Sequence, residues 1–199
     1  REMNRALEEG VRNSGDTLNY TEVASGRVQD SCEIYHTLRV PRGGEYTLVL
    51  ADGTTVYLNA ESELRFPKQF RGKNRKVYLT GEGYFDVQRN EKQPFIVEAQ
   101  QVEVRVLGTS FGVRAYTKEE NVLTTLIQGR VNVEADGQQV ELNPGQQADF
   151  NRGNDRLTVA EVDVEQYVGW KDGRLVFDNK PLEFILEELG RWYSFDVFY

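Results

Sequence analysis

The sequence predicts a mainly β protein: a twisted antiparallel sandwich or solenoid-like stack of short strands, followed by a small, incomplete α+β module of strand, helix and strand. Three observations carry this. Apolar and polar residues alternate in short runs from Val40 onward, the period of a half-buried strand. Turn signals punctuate those runs, at Asp52-Gly53, Asp136-Gly137 and Asn143-Pro144-Gly145. Only one stretch, residues 182–192, has the spacing of an amphipathic helix.

Residues 1–36 are weakly patterned and read as a lead-in with turns at Asn13-Ser14-Gly15-Asp16 and Ser25-Gly26. A first strand is expected near 31–38. The next unit is a hairpin, with Leu48 and Leu50 on one arm and Val56 and Leu58 on the other. A two-residue loop at Asp52-Gly53 would place these pairs on opposite faces. A three-residue loop, Ala51-Asp52-Gly53, pairs Leu48 with Val56 and unites all four on one face. Gly53 then takes the left-handed position. The three-residue loop is the one expected.

In the next strand Val77, Leu79, Gly81, Gly83, Phe85 and Val87 share a face, and Tyr78, Thr80, Glu82, Tyr84 and Asp86 take the other. Two glycines on the apolar face imply a bend or a close neighbouring backbone. Further strands follow at Phe95-Val97-Ala99, Val102-Val104-Val106 and Phe111-Val113-Ala115, with a bulge at Leu107-Gly108-Thr109. Then Leu123 to Val133 alternates through Gly129. "Leu-Thr-Gly-Glu-Gly" at 79–83 and "Ile-Gln-Gly-Arg-Val" at 127–131 form a weak internal echo.

Near Trp170 the pattern changes. Pro181 suits a first helical turn. Leu182, Ile185, Leu186, Leu189 and Trp192 share one helical face, and Glu183, Glu187 and Glu188 another. β character resumes at Ser194. The expected division is a lead-in at 1–36, a β domain at 37–165 and the start of an α+β module at 166–199. One strand–helix–strand cannot bury both sides of its sheet, so continuation past Tyr199 is expected.

Composition narrows the function. The chain has 199 residues and a net charge of −8. Residues 161–199 carry nine acids and four bases. This balance argues against nucleic acid as a partner. No apolar run reaches the roughly 20 residues of a membrane span, and Arg1 to Asn19 is not a signal peptide. The chain reads as cytosolic or as a soluble piece of a longer protein.

Catalytic chemistry has little to draw on. Cys32 is the only cysteine and His36 the only histidine. A disulfide within the chain and a zinc site are not expected. Cys32 and His36 lie four apart, and two side chains in a weak strand are the plainer reading of them. A glycosidase needs only two carboxylates, but nothing marks a pair. "PRGGEY" and "TGEGYF" open no helix and are not phosphate cradles. Residues 65–76 hold six bases, Phe66 and Phe70 and no acid. They read as a nucleic-acid patch or, more plainly, as a solvated connection anchored by the two phenylalanines. No metal, cofactor or catalytic residue is expected.

Several ordered blocks resemble one family. "TLRVPRGGEYTLVLADGTTVYLNAESELRFP", "RKVYLTGEGYFDV", "PFIVEA", "VEVRVLGTSFGVRAY", "TTLIQGRVNV" and "ELNPGQQADF" resemble the periplasmic region of FecR-type anti-sigma regulators. "WKDGRLVFDNKPLEFILEELGRWYSFDV" is similar to the module that follows it in Bacteroidetes members, related to the short N-terminal domain of secretins and TonB receptors. The resemblance implies a cytoplasmic anti-sigma segment and a single membrane helix, both absent from this chain, with this region in the periplasm. It implies a signal received from the N-terminal signalling domain of a TonB-dependent outer-membrane transporter and passed to an extracytoplasmic-function sigma factor. It implies no catalytic residue. At the matching positions Gly43, Gly44, Asp52 and Gly53 shape turns, and Gly81, Gly83, Gly108 and Gly129 allow bends. Trp170, Leu182, Leu189, Trp192 and Tyr193 anchor the C-terminal module.

A relay protein presents surfaces. Strand-edge pairing is expected around residues 174–178 (Arg174, Val176, Asp178) and 195–199 (Phe195, Val197). The acidic face of Glu183, Glu187 and Glu188 would steer a basic partner, or simply be solvated. The rival reading is a carbohydrate- or metabolite-binding β module using Tyr78, Tyr84 and Tyr116.

Overall fold

The computed structural model describes residues 12–21 and 33–198. The turn proposed at Ser25-Gly26 and the thiol of Cys32 lie outside them. The architecture is mainly β, with helices confined to the C-terminal part. Among the described residues there are fifteen strands, β1 (Arg12–Ser14), β2 (Thr17–Asn19), β3 (Tyr35–Val40), β4 (Tyr46–Val49), β5 (Thr55–Leu58), β6 (Ser62–Pro67), β7 (Arg75–Asp86), β8 (Phe95–Ala99), β9 (Val102–Val106), β10 (Ser110–Ala115), β11 (Asn121–Gln128), β12 (Val131–Ala135), β13 (Gln138–Leu142), β14 (Gln146–Asn151) and β15 (Arg156–Glu161). Two helices follow, α1 (Glu165–Val168) and α2 (Leu182–Tyr193), with a 3-10 turn at Gly169–Asp172 between them.

The strands form two sheets that share β7. The first runs β1-β2-β4-β5-β7-β10-β11-β14-β15, and the second runs β3-β6-β7-β8-β9-β12-β13. The N-terminal half of β7 pairs β6 and β8, and its C-terminal half pairs β5 and β10. The change of sheet falls near Gly81, at φ +94. A Cβ there would sit 2.7 Å from Ser62 Cα, so no other residue fits without moving a backbone. The echoed glycine, Gly129, has φ +99 and lies between β11 in the first sheet and β12 in the second. Its missing Cβ leaves room for Thr109 Oγ1, 2.8 Å away. The echo therefore marks two corners where the chain changes sheets.

The hairpin has the expected three-residue loop. Leu48 pairs with Val56, and Leu50 N–H donates to Thr54 O. Leu48, Leu50, Val56 and Leu58 are fully buried. Gly53 is left-handed at φ +86. Gly108, at the proposed bulge, allows Arg89 Cα to approach within 2.6 Å of where a Cβ would stand. One continuous apolar core fills the space between the two sheets.

Two strand pairs are parallel, β2 with β4 and β7 with β8. The second follows from the crossover after β7. Arg75, 1% exposed, donates to Gln93 O and Gln88 O within that crossover and to Asp52 Oδ2 at 2.6 Å. A guanidinium thus satisfies carbonyls that an irregular buried segment would otherwise leave unpaired. The sequence grouped Arg75 with a basic surface run. That run is otherwise a surface connection, with Phe66 buried and Phe70 packed against the core.

The C-terminal module differs from the expected strand–helix–strand. Neither 174–178 nor 195–198 is a strand, so strand-edge pairing at Arg174, Val176, Asp178, Phe195 and Val197 has no strand to use. Their backbones bond locally instead, Arg174 N–H to Gly169 O and Phe195 N–H to Gly190 O. The helix also presents an unexpected face. Leu182 and Tyr193, expected as anchors, are each 68% exposed. Ile185, Leu186 and Leu189 are half-buried, whereas Glu188 is buried.

Candidate functional site: a buried ion network and cavity under the C-terminal helices

The outer face of the first sheet explains the turn of α2. Along β7 and β10 this face carries Glu82, Tyr84, Gly112 and Arg114. The helices cover it, which is why Glu82 and Tyr84 are buried although they occupy the polar face of their strand. Val168 packs where Gly112 lacks a side chain, 3.0 Å from the position of a Cβ. Trp170 and Val168 are buried against Tyr84, with Tyr57, Leu175 and Trp192 around them.

Arg114 is the centre of the polar part. Its guanidinium grips Glu188 of α2 with two hydrogen bonds, Nη2 to Oε1 at 2.6 Å and Nη1 to Oε2 at 3.1 Å. It also donates to both oxygens of Glu119, at 2.8 and 2.6 Å, and reaches Glu82 Oε2 at 3.5 Å. Arg191 of α2 donates to Glu188 at 2.7 Å and to Glu119 at 2.9 Å. Both guanidiniums lie over the Tyr116 ring, whose hydroxyl donates to Ala60 O. Asn59 joins the two sides: its amide donates to Glu82 at 2.7 Å, and its carbonyl oxygen accepts from Trp192 Nε1 at 3.0 Å. From the other end, Arg191 O accepts from Gly43 N–H, and Arg42 donates to Phe195 O and Asp196.

This charge is held out of water. Burial pushes the Glu82 carboxyl up to about 7, with the positive charge of Arg114 opposing and the negative charge of Glu188 adding to the rise. Burial works against the Arg114 cation, but Glu82, Glu188 and Glu119 outweigh it and hold the guanidinium protonated. With Glu82 neutral, two arginines face Glu188 and Glu119 in balance. Removing one partner from such a network strands the others, at a cost of about 3–5 kcal/mol.

Beside the network lies a cavity of about 400 Å³ between the helices and the sheet. Its floor includes Glu82, Arg114, Gln147 and Asp149, and its walls include Tyr167, Trp170, Phe177 and Phe184. Of the residues expected at a protein contact, Arg174, Val176 and Glu187 line it. Asp178 and Glu183 are exposed outside it, and Phe195 and Val197 sit beyond the C-terminal end of α2. Trp170 and Trp192 do anchor the module. Sequence reasoning missed Glu82, Arg114 and Arg191, and placed Glu188 on a solvated face. The one available signal was an arginine in the otherwise apolar run Phe111 to Tyr116.

Tyr78, Tyr84 and Tyr116 do not gather into a binding surface. Tyr84 and Tyr116 are buried under the helices, and Tyr78 stacks with Tyr35 and Arg65 on the second sheet. None of the three lines the cavity. Among the described residues no group of three or more His, Cys, Asp or Glu is placed to hold a metal ion, and no helix is long and apolar enough to cross a membrane.

Comparison with known proteins gives the lineage. The FecR protein family model matches residues 36–132, from β3 into β12, and so includes both corners and Arg114. Two crystal structures of a candidate anti-sigma factor from Parabacteroides distasonis, at 1.65 and 2.50 Å, are similar to this chain with 33% identity. Their TM-scores are 0.76 and 0.77. The alignments cover 80% and 81% of this chain and 75% and 76% of theirs. No curated protein matches. The family match and the identity over three quarters of those chains agree: this chain belongs to the FecR family of anti-sigma factors.

Proposed function

We propose that this region is the periplasmic sensor of a membrane-anchored anti-sigma factor. It takes a signal from the N-terminal signalling domain of a TonB-dependent outer-membrane transporter and relays it to an extracytoplasmic-function sigma factor, without catalysis. The observation that carries the reading is how the C-terminal segment is attached. Helix α2 is held to the sheet by buried ions and hydrogen bonds beside the apolar Trp170 cluster, while Leu182 and Tyr193 are exposed. A segment anchored by a polar network and apolar on its free side suits exchange between two partners. Val176 and Phe195 add exposed apolar area to the same C-terminal segment, and Arg174, Asp178, Glu183 and Glu187 add exposed charge.

Calorimetric titration of this chain with signalling domains of transporters from the same genome tests the reading. Saturable binding to one domain is expected, weakened at least tenfold by Leu182→Arg or Leu186→Arg, about 1.4 kcal/mol. A folded chain that binds none of those domains would undercut the relay.

A further inference from the structure

The two sheets end in four strands, β1, β3, β13 and β15. Three of these ends are short or covered. β1 has three residues. β13 and β15 meet through Gln138, whose Nε2 donates to Asp155 O and whose Oε1 accepts from Leu157 N–H. β3 is different. It pairs only β6, in unbroken register over six residues. Ile34 O accepts from Lys68 N–H, and this fixes the alternation along the strand. His36, Leu38 and Val40 turn their backbone groups to β6, while Tyr35, Thr37 and Arg39 turn theirs to the open side. Among the described residues no backbone group meets them there. Thr37 and Arg39 are exposed, and Ile34, at the same edge, is 48% exposed.

Open edges are commonly guarded by a proline, a bulge or a charge pointing inward. β3 has none of these: its inward side chains are His36, Leu38 and Val40. Its outer row, Tyr35, Thr37 and Arg39, is complementary to itself. Antiparallel pairing with a second copy, about a two-fold axis through Thr37, sets Thr37 against Thr37 and Tyr35 against Arg39 in both directions. The residues with free backbone groups then face one another, and each facing pair exchanges both its N–H···O bonds. Arg39 meets a tyrosine ring, with Glu33 of the second copy diagonal to it. Within its own chain Arg39 Nε donates to Glu63, and its terminal nitrogens engage no other side chain among the described residues. Ile34 falls opposite Val40 and is covered. Other registers lose these contacts. Centring on Arg39 opposes two like charges, and centring on Tyr35 leaves Arg39 without a ring. A shift by a single residue turns the backbone groups away from each other.

We propose that the open edge of β3 pairs with β3 of a second copy of this chain, joining the second sheets of the two copies across a two-fold axis through Thr37. A contact of this symmetry needs a patch that complements itself, as the Tyr35–Thr37–Arg39 row does. One strand pair buries a small area, so the dimer belongs to the weak, reversible class. The proposal does not depend on the relay reading, which rests on α2.

Sedimentation equilibrium of the whole chain tests the proposal. A monomer–dimer equilibrium with Kd on the order of 100 μM is expected. Thr37→Pro removes a donor that points away from β6, so the β3–β6 ladder keeps its bonds, and it should abolish the dimer. Arg39→Glu should weaken the dimer about tenfold. Adding Glu33→Arg should restore it, because the diagonal pair is then reversed rather than lost. Oxidative cross-linking reads the register, in a Cys32→Ser background. Thr37→Cys places the two Cα atoms about 5.5 Å apart, within reach of a disulfide. Arg39→Cys places them roughly 14 Å apart, out of reach. Rapid cross-linking at position 37 and not at 39 is expected. A dimer indifferent to Thr37→Pro, or cross-linking alike at both positions, overturns the proposal by placing the contact elsewhere. So does a chain that stays monomeric up to about 1 mM. Amide exchange at Thr37 and Arg39 then names the occupant: slow exchange means that residues 22–32 of the same chain cover the edge, and fast exchange leaves it to a strand of another protein.

Discussion

Glu82 makes the stability of this fold depend on pH in an unusual direction. Its carboxyl stands near 7 in the folded protein against an ordinary 4.5. The folded state therefore keeps a proton that the unfolded chain releases. The stabilisation is complete below pH 4.5 and is lost as pH rises through about 7. The gap corresponds to a loss on the order of 3 kcal/mol across that window. Glu82→Gln mimics the protonated acid in shape, and its amide oxygen can still accept from Asn59. Arg114, Glu119 and Glu188 stay in balance around it. Urea unfolding of both proteins at intervals from pH 5 to pH 8 measures the effect, because other titrating groups cancel in the comparison. The parent midpoint should fall relative to that of Glu82→Gln by about 1 M between those limits. The variant should be the more stable of the two at pH 8. Parallel profiles would refute the reasoning, since they would mean that Glu82 ionises alike in both states.

Two further comparisons of variants test the architecture. Gly81→Ala should cost more than about 3 kcal/mol, from a left-handed φ and a clash with the Ser62 backbone, whereas Gly53→Ala, left-handed but in open space, should cost about 1 kcal/mol; equal losses in thermal melts would show that the corner carries no close-approach constraint. Arg114→Met should cost about 3–5 kcal/mol and speed limited proteolysis within residues 173–181, while Arg114→Met with Glu188→Met should recover part of the loss; unchanged cleavage in the single variant would mean that the network does not hold α2.

What the sequence showed and what it hid divide on a physical line. The hairpin at Leu48 to Leu58 was legible because register follows from one-sided burial and from the turn, both local. Gly81 and Gly129 were legible as bends because glycine on an apolar strand face has few other uses. The internal echo between them was visible, but its meaning as a pair of sheet-changing corners needed the topology. The candidate site was largely hidden. Glu82, Arg114 and Glu188 lie on polar faces of their own elements, and periodicity assigns such positions to solvent. Their burial comes from pairing with one another over more than 70 residues of chain, from Arg114 to Glu188. The same pairing turned α2 so that Glu188 met the sheet and Leu182 met water. Helical periodicity found the apolar stripe but had no means of knowing that a polar partner competed for the inward side.

The shared strand sets the order in which the molecule can assemble. β7 draws its partners from residues 55 to 115, two arriving earlier in the chain and two later. Neither sheet is whole until β8 and β10 have been made, so a chain still being synthesised holds β7 with one open edge in each half. Loop closure over these distances is slow compared with hairpin formation. β10 gives β7 its last neighbour, and because β7 belongs to both sheets, losing any one of its four neighbours loosens them both. The protein should accordingly gain or lose its β architecture as a single cooperative unit, with the helices added last and released first.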